Sequence, residues 1–201
     1  MHIIGLTGGI ASGKSTVSNI LREEFGALVI DVDRIARQIS LRGAGAYEDI
    51  VNRFGHDIIK SDGEIDRKRL GEIVFNDQGA RKDLEAITHF RIGAEVDKLL
   101  QGARADGLKV AVVDAPLLLE AGWQGLADEI WLVYLDEETQ INRLRQRDGL
   151  SLAEALSRIK SQMPLSEKKK YAQVIIDNSA GLEKTKEQVI FHYRATYSFL
   201  E

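Results

Sequence analysis

The chain has no cysteine, which excludes disulfides and thiolate-held metals and suits a reducing compartment. It has two prolines, Pro116 and Pro164, so no proline-rich linker divides it. No stretch approaches the roughly 18 apolar residues that a membrane-spanning helix needs. The apolar run Met1 to Thr7 lacks a basic segment before it, so no targeting signal is expected and the cytoplasm is the default compartment. Charge of either sign is not in large excess: the net value is −4, which gives no bulk attraction to nucleic acid or to an anionic membrane. Any anion site must therefore be local. His2, His56, His89 and His192 show no metal-ligand spacing, so they support no metal site. The G-x-S-x-G, H-E-x-x-H and EF-hand patterns are all missing.

What is present is an alternation of short apolar runs and helical periods. His2 to Thr7 reads as a buried strand. Lys14 to Phe25 carries Val17, Ile20, Leu21 and Phe25 on one helical face, and Gly26 stops it. Ala27 to Ile30 is a second strand, ending at Asp31, and Asp33 to Ser40 is helical. Strands return at Lys109 to Val113, Glu129 to Leu135 and Val174 to Ile176, each with an aspartate close behind: Asp114, Asp136 and Asp177. Helical segments alternate with them at Glu137 to Arg147, Leu152 to Gln162 and Leu182 to Leu200. This predicts an α/β fold with a five-stranded parallel sheet flanked by helices, its ligand crevice at the carboxyl edge. Between Gly43 and Arg104 strands are scarce. Helices are expected at Tyr47 to Phe54, Arg67 to Phe75 and Ala80 to Ala103, with turns at Gly63 and Gly79. The expected organisation is one domain over 1–201, with a helical insertion at about 43–105 and a lid at about 143–165.

Gly8-Gly9-Ile10-Ala11-Ser12-Gly13-Lys14-Ser15-Thr16 matches G-x-x-x-x-G-K-[ST], with a strand before it and a helix after it. Glycines let the backbone wrap an anion with its N–H groups, and the helix N-terminus adds positive charge. Lys14 is expected on the β- and γ-phosphates of a nucleotide and Ser15 on Mg²⁺. Asp33 follows the second strand, where a carboxylate can orient an acceptor hydroxyl and take its proton; Asp31 can cap the next helix. Asp114 ends a Walker-B-like run and can hold a Mg²⁺-bound water. Asp136 and Asp177 read as caps or turns. Arg143 and Arg147 lie four apart on one helix face, where they can clamp phosphate. Glu167-Lys168-Lys169-Lys170 reads as an exposed charged face, and Trp123 and Trp131 as packing.

A phosphate loop also serves GTPases and motors. The guanine-reading N-K-x-D is absent, and Asp114-Ala115-Pro116-Leu117 is not D-x-x-G. Short kinases of nucleotides and metabolites remain. Here the sequence resembles the dephospho-CoA kinase family along nearly its whole length. Five stretches carry the resemblance: Ile4 to Ile10; Ile30-Asp31-Val32-Asp33 with Ile35-Ala36-Arg37; Phe54-Gly55 with Asp62-Gly63 and Asp66-Arg67; Asp114-Ala115-Pro116-Leu117-Leu118-Leu119-Glu120; and Val174 to Asn178. The resemblance implies transfer of the ATP γ-phosphoryl group to the ribose 3′-hydroxyl of dephospho-CoA, with ATP and Mg²⁺. It implies Asp33 as the acceptor-orienting carboxylate and Arg143 as the lid arginine. It places Arg37, His89, Pro116, Leu117, Leu118 and Glu120 at the acceptor, and Asn178 near the adenine. The chain departs from the family at Ala11, where glycine is usual, at Phe90, where proline follows the histidine, and at Ser40-Leu41-Arg42-Gly43 in place of Glu-Pro-Gly. The rival readings are a shikimate or nucleoside kinase, though no Gly-Gly-Gly acceptor loop is present, and a regulatory ATPase without a metabolite acceptor. A monomer or weak homo-oligomer is expected.

Overall fold

A computed structural model describes residues 1–197. The first strand, β1 (His2–Gly8), runs into the glycine-rich loop and helix α1 (Lys14–Phe25). Every residue of β1 after His2 is buried, as a strand covered on both faces demands. β2 (Leu28–Asp31), β3 (Val110–Asp114), β4 (Glu129–Tyr134) and β5 (Val174–Asp177) complete a parallel sheet in the order β2-β3-β1-β4-β5. β1 is thus central, with β3 on one side and β4 on the other. The chain changes direction across the sheet at β1, and in such sheets ligands bind outside the carboxyl ends at that point. Register places Asp114 opposite Leu6, Val133 opposite Gly8 and Asp177 opposite Tyr134. Asp114 and Asp177 therefore lie along the edge onto which the glycine-rich loop opens.

The chain divides into two compact units, one made of residues 1–30 with 102 onward and the other of Asp31–Gln101. In the first, α1 and α9 (Leu182–Tyr197) cover one face of the sheet. Ile4, Leu6, Val112, Trp131 and Val133 have no exposed surface there, and each such side chain contributes roughly 1.5–3 kcal/mol by leaving water. Phe25 of α1 stacks on Tyr193 of α9 at 3.8 Å. Gly26, at φ 62°, ends α1 by returning its N–H to Arg22 and Leu21, a backbone that glycine adopts without strain. Helices α6 (Glu137–Asp148), α7 (Leu152–Lys160) and the short α8 (Leu165–Lys168) lie between β4 and β5. Asp136 caps α6 through the Thr139 N–H at 2.8 Å, Ser151 and Glu154 form a capping box on α7, and Asp177 takes the Ser179 N–H in a turn.

The second unit is helical: α2 (Val32–Ile39), α3 (Tyr47–Phe54), α4 (Arg67–Asn76) and most of α5 (Gln78–Ala105), with a 3-10 turn at His56–Ile58. Tyr47, Ile50, Val51, Ile58, Ile65 and Leu70 form its core. Tyr47 Oη donates to the Gly63 carbonyl at 2.6 Å. Arg91 of α5 pairs with Asp49 of α3 at 2.5 Å.

Two expectations change. Gly79 is not a turn but lies in the first turn of α5, where Asp77 accepts its N–H and that of Ala80; a capping carboxylate offsets the poor helix propensity of glycine. Lys168 is not on a solvated face: it is buried on α8. The helix expected at Ala80 to Ala103 is present, and α5 runs unbroken through His89 and Phe90. The last expected helix is seen to Tyr197, and its residues 198–200 lie outside the described residues. Among the described residues, no helix is long and apolar enough to cross a membrane.

Candidate active site

The loop 9–13 turns tightly on itself. Ser12 N–H donates to the Gly9 carbonyl at 3.0 Å, and Thr16 N–H to the Gly13 carbonyl at 2.9 Å. Gly13 has φ 85°, and a Cβ there would overlap the side-chain amide of Asn178; conformation and space both require glycine. Ala11 is at φ 60°, the one non-glycine residue with positive φ among those described.

The loop is held from three sides. Gln162, just beyond α7, accepts the Ile10 N–H at 2.8 Å. Gln140 of α6 donates to the Ile10 carbonyl at 2.9 Å. Asn178, directly after β5, donates to the Ser12 carbonyl at 2.8 Å and accepts the Thr185 hydroxyl at 2.7 Å. With the Ile10 and Ser12 peptides fixed, the N–H groups at the start of α1 are left to face an anion, where the helix dipole favours negative charge.

Lys14 ion-pairs with Asp114 of β3, and both side chains are mostly covered. Ser15, next along α1, is exposed. Together they set one ammonium, one hydroxyl and one carboxylate beside the loop. Arg143 reaches in from α6: its Nη2 donates to the Asn178 carbonyl at 2.9 Å, and its guanidinium lies beside Gly13. Arg147 does not accompany it. Its guanidinium forks onto Asp148 at 2.8 and 3.1 Å, and that hydrogen bond pushes its pKa above the usual arginine value. Arg158 joins the same carboxylate at 3.1 Å. Of the two arginines expected at phosphate, Arg143 lies beside the loop, whereas a carboxylate adjacent in sequence takes Arg147.

Beyond β3, Leu117 is exposed but Leu118 is fully buried, packed on Gly5 of β1. Leu118 shapes the wall and offers no surface to an acceptor. Glu120 is engaged by Lys168, whose Nζ also donates to the Pro116 carbonyl at 2.6 Å. Burial pushes the Lys168 pKa below the usual lysine range, while the Glu120 bond works against that. Asn178 is 5% exposed, and its amide donates to the Ser12 carbonyl and accepts from Thr185, so it holds the loop.

In the second unit, Asp31 caps α2 through the Arg34 N–H at 2.9 Å, and Asp33 is exposed in the first turn of that helix. Arg37 is exposed in the last turn, and its carbonyl accepts a bond from Arg67 at 3.0 Å. His89 is half-buried along α5. Sequence reasoning missed Gln140, Gln162, Thr185 and Lys168. Nothing local marks the first three, and the Lys168-Lys169-Lys170 run disguises the last as surface.

A phosphate loop at the central strand, a lysine set against a strand-end aspartate and a covering helix with an inward arginine define a P-loop kinase. Similarity to known proteins narrows the class. The dephospho-CoA kinase family model matches residues 2–184. The dephospho-CoA kinase of Geobacter sulfurreducens is 51% identical over 189 residues, covering 94% of this chain and 95% of the relative. A crystal structure of TT1252 from Thermus thermophilus superposes with a TM-score of 0.84 at 33% identity, covering 97% of each chain. The dephospho-CoA kinase from Campylobacter jejuni does so at 0.72 and 32%, covering 99% of this chain and 98% of its own. The chain belongs to the dephospho-CoA kinase family.

Proposed function

We propose that this enzyme transfers the γ-phosphoryl group of ATP to the ribose 3′-hydroxyl of dephospho-CoA, giving ADP and coenzyme A. The carrying observation is the match to the kinase family over residues 2–184 in a chain that keeps Lys14, Ser15, Asp33 and Asp114. The loop N–H groups and Lys14 bind the β- and γ-phosphates, Lys14 exchanging Asp114 for phosphate oxygen. Asp33 accepts the proton of the 3′-hydroxyl as its oxygen bonds to the γ-phosphorus. The bond from that phosphorus to the bridging oxygen breaks, and the charge leaves with ADP. Arg143 stabilises charge on the migrating group, where a guanidinium is worth far more than in water. Arg37 and His89 would contact the acceptor.

Ser15 and Asp114 offer hard oxygen donors beside the loop, a set that suits Mg²⁺ completed by phosphate and water. Among the described residues no group of three or more His, Cys, Asp or Glu could cage a metal, and Mg²⁺ does not require one. When bound, Mg²⁺ neutralises charge on the phosphate oxygens. The cytoplasm, where both substrates would be met, is part of the proposal.

The test is ATP consumption with Mg²⁺, with and without dephospho-CoA, together with the mass of the product. Acceptor-dependent ADP release with one phosphate added to the acceptor supports the assignment. Release indifferent to the acceptor refutes it and leaves a nucleotide site with another substrate.

A further inference from the structure

Lys168 has no exposed side-chain surface, while Glu167 and Lys170 beside it pair with each other in solvent. Its ammonium reaches Glu120 at 3.0 Å and the Pro116 carbonyl at 2.6 Å. Glu120 accepts a further bond from the Met163 N–H at 3.0 Å. The Pro116 carbonyl accepts one from Thr7 Oγ1 at 3.1 Å. Thr7 is the residue before Gly8, where the phosphate loop begins. Met163 follows Gln162, which clasps Ile10 in that loop. Pro116 stands two residues after Asp114, the partner of Lys14. One buried ammonium therefore ties together the end of β1, the loop leaving β3 and the segment between α7 and α8. The charge of Lys14 contributes to lowering the Lys168 pKa, which places both ammonium groups in one neighbourhood.

We propose that Lys168 is a positioning residue for phosphoryl transfer, acting through Pro116 and Glu120 to hold the loop after Asp114 against β1, and so to hold Asp114 and Lys14 in register with the phosphate loop. The proposal rests on the roles given above to Lys14 and Asp114. The chemistry of the knot calls for lysine. A compact head with three N–H donors can satisfy a carbonyl and a carboxylate at once. A methionine would fill the volume but leave the Pro116 carbonyl with Thr7 alone and Glu120 with the Met163 N–H alone, its negative charge uncompensated. Buried polar groups in that state move toward water, and the loop would move with them. A displacement near 1 Å is enough to slow phosphoryl transfer by about a hundredfold.

The experiment compares Lys168→Met, Glu120→Gln and the double variant. kcat and KM for each substrate are expressed per folded molecule, the folded fraction being taken from urea unfolding. Lys168→Met is expected to lower kcat by about 10- to 100-fold while KM for ATP stays within about threefold. The double variant should fall no further than Lys168→Met alone, because both changes act through one loop. Wild-type kcat per folded Lys168→Met molecule overturns the proposal and leaves a structural lysine. So does a double variant that loses the product of the single effects. If Lys168→Met does not fold, Glu120→Gln, which preserves shape, carries the test: a drop in kcat of about threefold or more at steady KM is expected, and no drop overturns the idea. Asp114→Asn in the same assay keeps the two readings apart. An undiminished rate there removes the role given to Asp114, whereas a slow Asp114→Asn beside a normal Lys168→Met removes Lys168 alone.

Discussion

Replacing Asn178 by alanine cuts the tie between the end of β5 and the phosphate loop. Two hydrogen bonds are lost, at 2.8 Å to the Ser12 carbonyl and at 2.7 Å from the Thr185 hydroxyl. They do not cost the same. Thr185 Oγ1 also reaches the Gly181 carbonyl at 3.0 Å, so its proton keeps an acceptor. The Ser12 carbonyl has no such substitute in the Asn178 side chain's place, and an orphaned buried acceptor costs about 1–3 kcal/mol. The small void beside Gly13 adds about 1 kcal/mol. The bond from Arg143 survives, since it goes to the backbone carbonyl of residue 178. A destabilisation of about 2–4 kcal/mol is expected, and at about 2–4 °C per kcal/mol for a chain of this size it lowers Tm by roughly 4–16 °C. Urea unfolding measures the first quantity, and calorimetric titration with ADP the cost to the loop, expected at about tenfold in Kd, or ~1.4 kcal/mol of the same energy. A change in stability below about 0.5 kcal/mol, the range of ordinary surface substitutions, would refute the reasoning. If nucleotide binding weakened while stability held, Asn178 would be an adenine contact after all.

Asp33→Asn should leave ATP affinity unchanged and cut turnover by roughly 10²-fold or more if the carboxylate takes the acceptor proton; wild-type turnover in a steady-state assay would remove that role. Ala11→Gly relieves a left-handed alanine at φ 60°, a strain of about 1–2 kcal/mol, against about 0.4–1 kcal/mol of added unfolded-state entropy. A net gain of up to about 1 kcal/mol in urea unfolding is expected, and a loss would show that the Cβ is packed usefully. The Thr139 N–H bond holds the Asp136 carboxyl below its ordinary value of 3.8. With the folded pKa depressed, the stabilisation is present above the unfolded value and lost as pH falls through the folded one. Asp136→Ala should therefore melt below wild type at neutral pH, and the two melting curves should converge in acid below pH 3.8; a gap that persists there would contradict the cap.

The fold was legible because its signals are local. β1, β3 and β4 are short apolar runs buried on both faces, and β3, β4 and β5 each have an aspartate at or just beyond their end. The phosphate loop was legible for the same reason: the glycines, Lys14 and Ser15 are neighbours in sequence, and the backbone conformation they need is written into residue type. Asp31 as a cap could also be read from its place before α2. The supports of the site could not. Gln140, Gln162 and Asn178 reach the loop across separations of 130, 152 and 166 residues, and a lone glutamine or asparagine carries no pattern that names a distant backbone N–H or carbonyl.

Charged residues divide along the same line. Arg143 and Arg147 share a helix face in sequence, but α6 ends so that Asp148 captures Arg147, leaving Arg143 beside Gly13. Lys168 stands in a run that reads as solvated surface, yet α8 turns this one ammonium inward onto Pro116 and Glu120. The sequence by itself determined the alternation of strands and helices, the anion-binding loop and the kinase family. Only the tertiary structure decided which polar side chains hold that loop and which charge is buried. Periodicity and motif are properties of neighbouring residues, whereas the partner of a buried donor is set by where the sheet order brings remote segments together.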